Sequence, residues 1–423
     1  MERTFAARGD IYYTSSPSCS LSIEDGWLVV VDGKVEGAFR HLPERYSNLP
    51  VKDFSGKIVI PGLSDLHVHA GQYQFRGLWM DEELIQWLNM HTFPEEAKYR
   101  DEGYADRAYD IFVDDLLHST TTRASIFATI HPAATLMLCR KLEKAGLPCL
   151  VGKVNMDRNS PDFLCEDTKE SIDSTLGYIE EVESSFRLVR PVITPRFIPS
   201  CTDELSRALS SIANERGLPV QTHLSENLSE LEWVKELCPE STSYADAYRR
   251  LGLWGGTRTV MAHCVYSLGH EEDMLEDANI WIAHCPDSNT NLSSGLMCAR
   301  YYLDRGCRIG LGSDVAGGTT LSMLRAITDA VKVSKMYWRH VDQSMKPICF
   351  REAFHMASVI SGSFFGRVGS FEEGCDADIV VLDDSTIPTT VEGLGVEERL
   401  ERYAYLRPHA PVAHKAVQGQ WLF

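Results

Sequence analysis

Eight short apolar runs recur between helical stretches from about residue 58 to residue 314, and six of them finish on a histidine, an arginine or an aspartate. The first, Ile58-Val59-Ile60-Pro61-Gly62-Leu63-Ser64-Asp65-Leu66, leads into His67-Val68-His69. The others are Thr121 to Phe127, Cys149 to Val154, Val192 to Phe197, Pro219 to His223, Thr259 to His263, Ile280 to His284 and Arg308 to Asp314. Intervening segments such as Ala134 to Ala145, Asp203 to Glu215 and Asn227 to Leu237 read as helices with one apolar face. Strand alternating with helix predicts a parallel sheet, because each crossover returns the chain to the same direction. Eight such units over roughly 250 residues fit a closed (β/α)8 TIM-like barrel. A doubly wound sheet carries fewer strands and a glycine-rich phosphate turn after the first. No such turn follows His69.

The polar residues that close these runs are His67, His69, Arg196, His223, His263, His284 and Asp314. All fall at C-terminal strand ends, where a barrel builds its active site. The flanks differ. Trp27 to Val35 reads as a strand with an Asp32-Gly33 turn, and Ala377 to Leu382 and Val417 to Phe423 read as short strands. The expected organisation is residues 1–57 and 367–423 as two parts of one small β-sandwich, and residues 58–366 as the barrel.

Charge and cysteine usage narrow the function classes. A net charge of −19 argues against non-specific binding to nucleic acid or an anionic membrane, and leaves a small neutral base acceptable. No window holds the uninterrupted apolar residues of a membrane span, and the first ten residues lack a signal-peptide apolar segment. The 12 cysteines form no Cys-x-x-Cys pair, so reduced thiols and a cytoplasmic setting are expected.

His67 and His69, one pleat apart on one strand face, can hold a single ion between them. With His223 and Asp314 they offer three nitrogens and one oxygen, which suits a catalytic metal that keeps a position for water. Such an ion brings the pKa of its water to near 7. The donor set accepts Zn2+ or Fe2+. Arg196 stands where a bridging lysine would favour two ions, and a guanidinium does not ligate metals; one ion is expected. Glu226, three residues past His223, reads as the proton shuttle, or else as a glutamate opening a helix.

His263 orients the attacking water on this reading, with ligation as the alternative. Asp314 both ligates and takes part in proton transfer. His284 reads equally as structural or catalytic. Cys264 and Cys285 read as buried packing, with thiolate ligation as the alternative. Gln72, Arg196 and Phe197 supply a donor and acceptor, a fork of donors and a stacking face, a set suited to a flat heterocycle bearing a carbonyl. Trp79 and Trp87 read as packing residues in a segment able to lid the site. Gly312, Gly317 and Gly318 flank Asp314 and permit close backbone approach. Arg123 sits on an otherwise apolar run, and the sequence offers no account of it.

Motifs spread nearly end to end carry a family resemblance. They are Pro61-Gly62-Leu63-Ser64-Asp65-Leu66-His67-Val68-His69-Ala70-Gly71-Gln72-Tyr73, Thr92-Phe93-Pro94, Phe127 to His131, Val151 to Val154, Thr194-Pro195-Arg196-Phe197, His223-Leu224-Ser225-Glu226-Asn227, Met261-Ala262-His263, Ala283 to Pro286 and Leu311 to Gly318. Together they resemble the amidohydrolase superfamily. Gln72, Pro195-Arg196-Phe197 and Asp314 to Gly318 resemble, more narrowly, its guanine-deaminating branch. The resemblance implies zinc-dependent hydrolysis of guanine to xanthine and ammonia by a homodimer. It implies metal ligation by His67, His69, His223 and Asp314, base recognition by Gln72, Arg196 and Phe197, and proton transfer by Glu226 and Asp314. Asp287 stands where asparagine is more usual, and Cys264 follows His263. The alternatives are another amino- or halo-heterocycle (a pterin, 8-oxoguanine or a triazine) and a non-catalytic scaffold, although the ligand set and Glu226 are all present.

Overall fold

The computed structural model describes residues 3–267, 269–277 and 279–423. Residues 1 and 2, which open the expected β unit, lie outside the described residues. The long N-terminal strands β1 (Phe5–Ser16), β2 (Cys19–Val31) and β3 (Lys34–Phe39) precede β4 (Val51–Pro61). Asp32 and Gly33 join β2 to β3 with φ of 50° and 79°, the left-handed pair that a two-residue hairpin turn demands.

Parallel strands follow. The first group is β5 (Leu63–His69), β6 (Thr121–Phe127) and β7 (Leu150–Gly152), with β8 (Val154–Asn155), β9 (Arg190–Pro191) and β10 (Thr194–Pro195) beside them. The third expected run, Cys149 to Val154, is therefore split between β7 and β8, whereas within the fourth, Val192 to Phe197, the strand is only β10, with β9 just before it. Pro191 and Pro195 lack the N–H that an unbroken ladder requires, so β9 pairs with β7 and β10 with β8. The second group is β11 (Val220–Leu224), β12 (Thr259–His263), β13 (Ile280–His284) and β14 (Arg308–Leu311), all parallel. The groups meet at two places. Ile193 bridges Val220 in parallel. Past β14, the Asp314 N–H donates to the His67 carbonyl at 2.8 Å and the His69 N–H to the Val315 carbonyl at 3.1 Å.

Helices occupy the connections and are stopped chemically. Thr202 accepts from the Leu205 N–H to start Asp203–Arg216, and Gly217 at φ 65° ends it. Ser322 caps Met323–His340 in the same way. None of the helices among the described residues is long and apolar enough to cross a membrane.

The C-terminal strands β15 (Ile379–Leu382), β16 (His414–Val417) and β17 (Gln420–Trp421) join the N-terminal ones in a single seven-stranded sheet, ordered β17-β16-β15-β4-β1-β2-β3. Strand alternation divides its side chains between two cores. Ile58, Ile60, Val380 and Leu382 face the larger core, whereas Val59, Ile379 and Val381 face a smaller one with Phe5, Ile11 and Phe54. Arg123 finds its explanation here. Its Nε donates to Asp378 Oδ2 at 2.8 Å and its Nη2 to Asp376 Oδ2 at 3.1 Å, tying β6 to the chain just before β15. Arg123 and Asp378 are both buried. Removing one partner of such a pair strands the other charge, at a cost of about 3–5 kcal/mol. Arg123→Met is therefore expected to lower the thermal unfolding midpoint by several degrees; an unchanged midpoint would show that the pair contributes no net stability.

Candidate active site

The ends of β5, β11, β12 and the turn after β14 converge on one point. His69 Nε2 lies 3.2 Å from His67 Nε2 and 3.2 Å from His223 Nε2. Asp314 Oδ1 lies 3.2 Å from His67 Nε2 and 3.4 Å from His69 Nε2. Phe127, at the end of β6, wedges its ring against all three imidazoles at centroid distances of 4.9, 4.7 and 5.0 Å. All four side chains are buried.

Local hydrogen bonds choose the tautomers. His223 Nδ1 donates to the Arg196 carbonyl at 2.6 Å, which leaves the Nε2 lone pair aimed at the other imidazoles. Burial holds His67, His69 and His223 below the ordinary imidazole range, which favours the neutral, ligating form. Burial opposes ionisation of Asp314, but His67, His263 and His69 outweigh it and keep the carboxylate charged. The closest nitrogen spacings match the edge of a tetrahedron with metal–nitrogen bonds near 2.05 Å, about 3.3 Å.

Glu226 follows β11 and is buried, its Oε2 3.4 Å from His263 Nε2 and its Oε1 accepting from Ser294 Oγ at 3.1 Å. Burial, then the charge of Asp314, pushes its carboxyl well above the usual range. His263 Nε2 also lies 3.7 Å from Asp314 Oδ2, and Nδ1 faces Asn289 Oδ1 at 2.8 Å. Ser225, His263, Cys264 and Asp314 have φ of 49°, 74°, 51° and 47°. Left-handed backbone at non-glycine residues is costly and clusters at functional sites. Gly312 and Gly318 are also required: a Cβ would meet His67 Cβ at 2.9 Å in the first case and the Ser313 carbonyl at 1.9 Å in the second.

A cavity of about 420 Å3 opens beside this cluster. Gln72, Arg196 and Phe197 line it along with His69, His223, Glu226, His263 and Asp314, so every predicted site residue except His67 reaches the cavity wall, and His67 touches two that do. Trp87, expected to be packing, forms wall as well as core, whereas Trp79 is half-exposed and stacks on His91 at 4.0 Å. His284 is buried beside the cluster, with neither ring nitrogen bonded among the described residues, and burial lowers its pKa to about 3. Asp287 accepts from the Thr319 N–H and hydroxyl, both at 2.8 Å, and so anchors the turn after Asp314. Cys264 and Cys285 are buried, and burial pushes both thiols well up, away from the thiolate that ligates.

Three acids in the site went unassigned by the sequence. Asp65 accepts from the N–H groups of His67 and Ser313, at 3.1 and 3.0 Å, and lashes β5 to the Asp314 turn. Its signal was an acid two residues before His67, on the same strand face. Glu230 accepts from the Glu226 and Asn227 N–H groups, at 2.9 and 3.4 Å, and from Tyr244. The capping-box spacing Asn227 to Glu230 would have found it. Glu96 contacts Gln72 and Arg196. It lies two residues past the Thr92-Phe93-Pro94 motif.

The amidohydrolase family profile matches residues 58–422. Guanine deaminase of Dictyostelium discoideum is 40% identical over 376 residues, covering 87% of this chain and 83% of that protein. Guanine deaminase of Escherichia coli K12 is 35% identical over 373 residues, covering 86% and 83%. The crystal structure of guanine deaminase from C. acetobutylicum, with guanine bound in the active site, superposes with a TM-score of 0.96 at 41% identity, covering 99% of this chain and 100% of that one. Shared motifs, shared fold and near-complete coverage agree: this chain belongs to the amidohydrolase family.

Proposed function

We propose that this chain hydrolyses guanine to xanthine and ammonia. One observation carries the reading: three imidazoles and a carboxylate converge beside a cavity whose wall holds Gln72, Arg196 and Phe197. The identity to a protein crystallised with guanine in its active site supports that substrate. The finer fold reading goes with it: a closed (β/α)8 barrel over residues 58–366 and a small β-sandwich from residues 1–57 and 367–423. The hydrogen bonds from the Asp314 N–H to His67, from the Ile193 N–H to Pro219 and from the Gln221 N–H to Ile193 support closure. The separate smaller core supports the second unit.

His67, His69, His223 and Asp314 would hold one zinc ion, with iron as the alternative, and their spacing and the favoured neutral form of the imidazoles fit it. When bound, the ion supplies a water that ionises near neutral pH. The chain does the rest. Arg196 and Gln72 grip the purine edge, and Phe197 covers its face. Glu226 takes one proton from the attacking water and passes it to the ring nitrogen beside C2; the second leaves the new C2 hydroxyl and reaches the leaving amine through Asp314 and Glu226. A C2–O bond forms, the C2–N bond breaks, and ammonia departs. His263, with Nδ1 held by Asn289, aims Nε2 at Glu226 and orients the water. Asp314 accepts a hydrogen bond from that water and takes part in the second proton transfer. Twelve unpaired cysteines support a reducing, cytoplasmic setting. The homodimer implied by the resemblance belongs to the same reading, and sedimentation measures it.

Purified protein should convert guanine to xanthine with about one ammonia released per turnover, as the hydrolysis requires; turnover of a pterin or triazine with none of guanine would reject the substrate. Glu226→Gln should keep its metal and lose kcat by about 100-fold or more, and a wild-type kcat would remove Glu226 from proton transfer. Chelation should abolish activity, and added zinc should restore it; full activity in metal-free protein would refute the metal assignment.

A further inference from the structure

We propose that Glu96 is a positioning residue that sets the recognition edge for a 6-oxopurine by fixing the Gln72 amide and the Arg196 guanidinium. The inference rests on the guanine reading above and deepens it. Glu96 lies on the short helix Phe93–Ala97, behind the cavity wall, and is 3% exposed. Its Oε1 accepts from Gln72 Nε2 at 2.9 Å, and its Oε2 accepts from Arg196 Nη1 at 2.6 Å. Gln72 and Arg196 are buried to the same degree, at 2% and 3% exposure. Phe93, three residues earlier on the same helix face, lies under the guanidinium at 5.0 Å. The adjacent Glu95 does different work, pairing with Lys98 and Tyr104.

The two contacts of Gln72 decide which way its amide faces. Glu96 can only accept, and the Ala316 N–H, 3.2 Å from Gln72 Oε1, can only donate. Flipping the amide would set acceptor against acceptor at one end and donor against donor at the other. The amide is therefore locked, with one Nε2 proton and one Oε1 lone pair left for the cavity. Arg196 is fixed by the same carboxylate, which also balances its buried charge, so its remaining N–H groups are presented to a carbonyl acceptor. A neutral amide at position 96 can accept through only one of its two ends. It would leave either Arg196 or Gln72 facing a donor, and Gln72 would be free to turn.

A purely structural role would affect folding, metal content or kcat. A positioning role affects the discrimination between purines with and without the 6-oxo group. The test compares competitive inhibition of guanine turnover by hypoxanthine, which has the carbonyl, and by purine, which lacks it. In Glu96→Gln, KM for guanine should rise by at least about tenfold and the preference for hypoxanthine over purine should fall by at least about tenfold, with metal content unchanged. Glu96→Asp keeps the charge but is one methylene too short to hold both partners, so it should lose a measurable part of the preference, less than Glu96→Gln; should the Gln variant fail to fold, an undiminished preference in the Asp variant overturns the proposal. A Gln variant with wild-type KM and preference, or with only kcat reduced, overturns it while leaving guanine deamination standing. Wild-type protein that does not turn over guanine overturns both.

Discussion

Four donor atoms that face one another in a water-excluded space are the constraint on which this molecule depends. Three imidazole lone pairs and a carboxylate lie within 3.2 to 3.4 Å of their neighbours, with no hydrogen available to join most of them. Such an arrangement is costly without a cation at its centre. The fold keeps it by placing the four donors at three strand ends, His67 and His69 on β5, His223 on β11 and Asp314 just past β14, and fixing those ends through backbone contacts. Asp65 and the Asp314–His67 hydrogen bond hold the first and last strands together. The Arg196 carbonyl holds the His223 ring. The left-handed residues at the tips of β11, β12 and β14 carry the remaining strain.

Much of this was legible because it is local. His67-Val68-His69 obeys strand alternation, and the sixfold repetition of a polar residue closing an apolar run fixes which end of the sheet matters. The alternation in Ile58-Val59-Ile60 also encodes two cores, although only the coordinates show which face belongs to which. What was not legible is long-range. Arg123 meets Asp378 across more than half the chain, and nothing near either residue announces the pair. The breaks at Lys153 and between Pro191 and Thr194 depend on pairing register, which a run of apolar residues does not specify. Glu96 follows a recognised motif, yet its partners lie 24 and 100 residues away.

Among the residues proposed for recognition, Arg196 and Phe197 follow the end of β10, whereas Gln72 lies in the connection after β5. On the proposed reading, donors for the ion and the proton shuttle come from strand ends, braced by backbone hydrogen bonds on several sides. Gln72 lies just past the first strand, and its bracing comes from the connection that follows, through the short helix at Phe93–Ala97. Connections tolerate change better than strand ends do. Changes in that connection can therefore alter the bracing of Gln72 without disturbing the proposed ligand residues.

The buried Glu96–Arg196 pair braces Arg196 from the same connection. A buried ion pair is seldom a net source of stability, since desolvating both charges offsets their attraction. Apolar residues of similar volume would fill the space at least as well. The pair earns its place through geometry. A planar guanidinium held at one nitrogen and stacked on Phe93 has few orientations left. A donor array with fixed direction rejects a base that lacks the matching acceptor, because a buried unpaired donor costs more than a made hydrogen bond returns. Rigidity in the second layer thus becomes selectivity in the first, and the stability forgone at Glu96 is the physical form that selectivity takes.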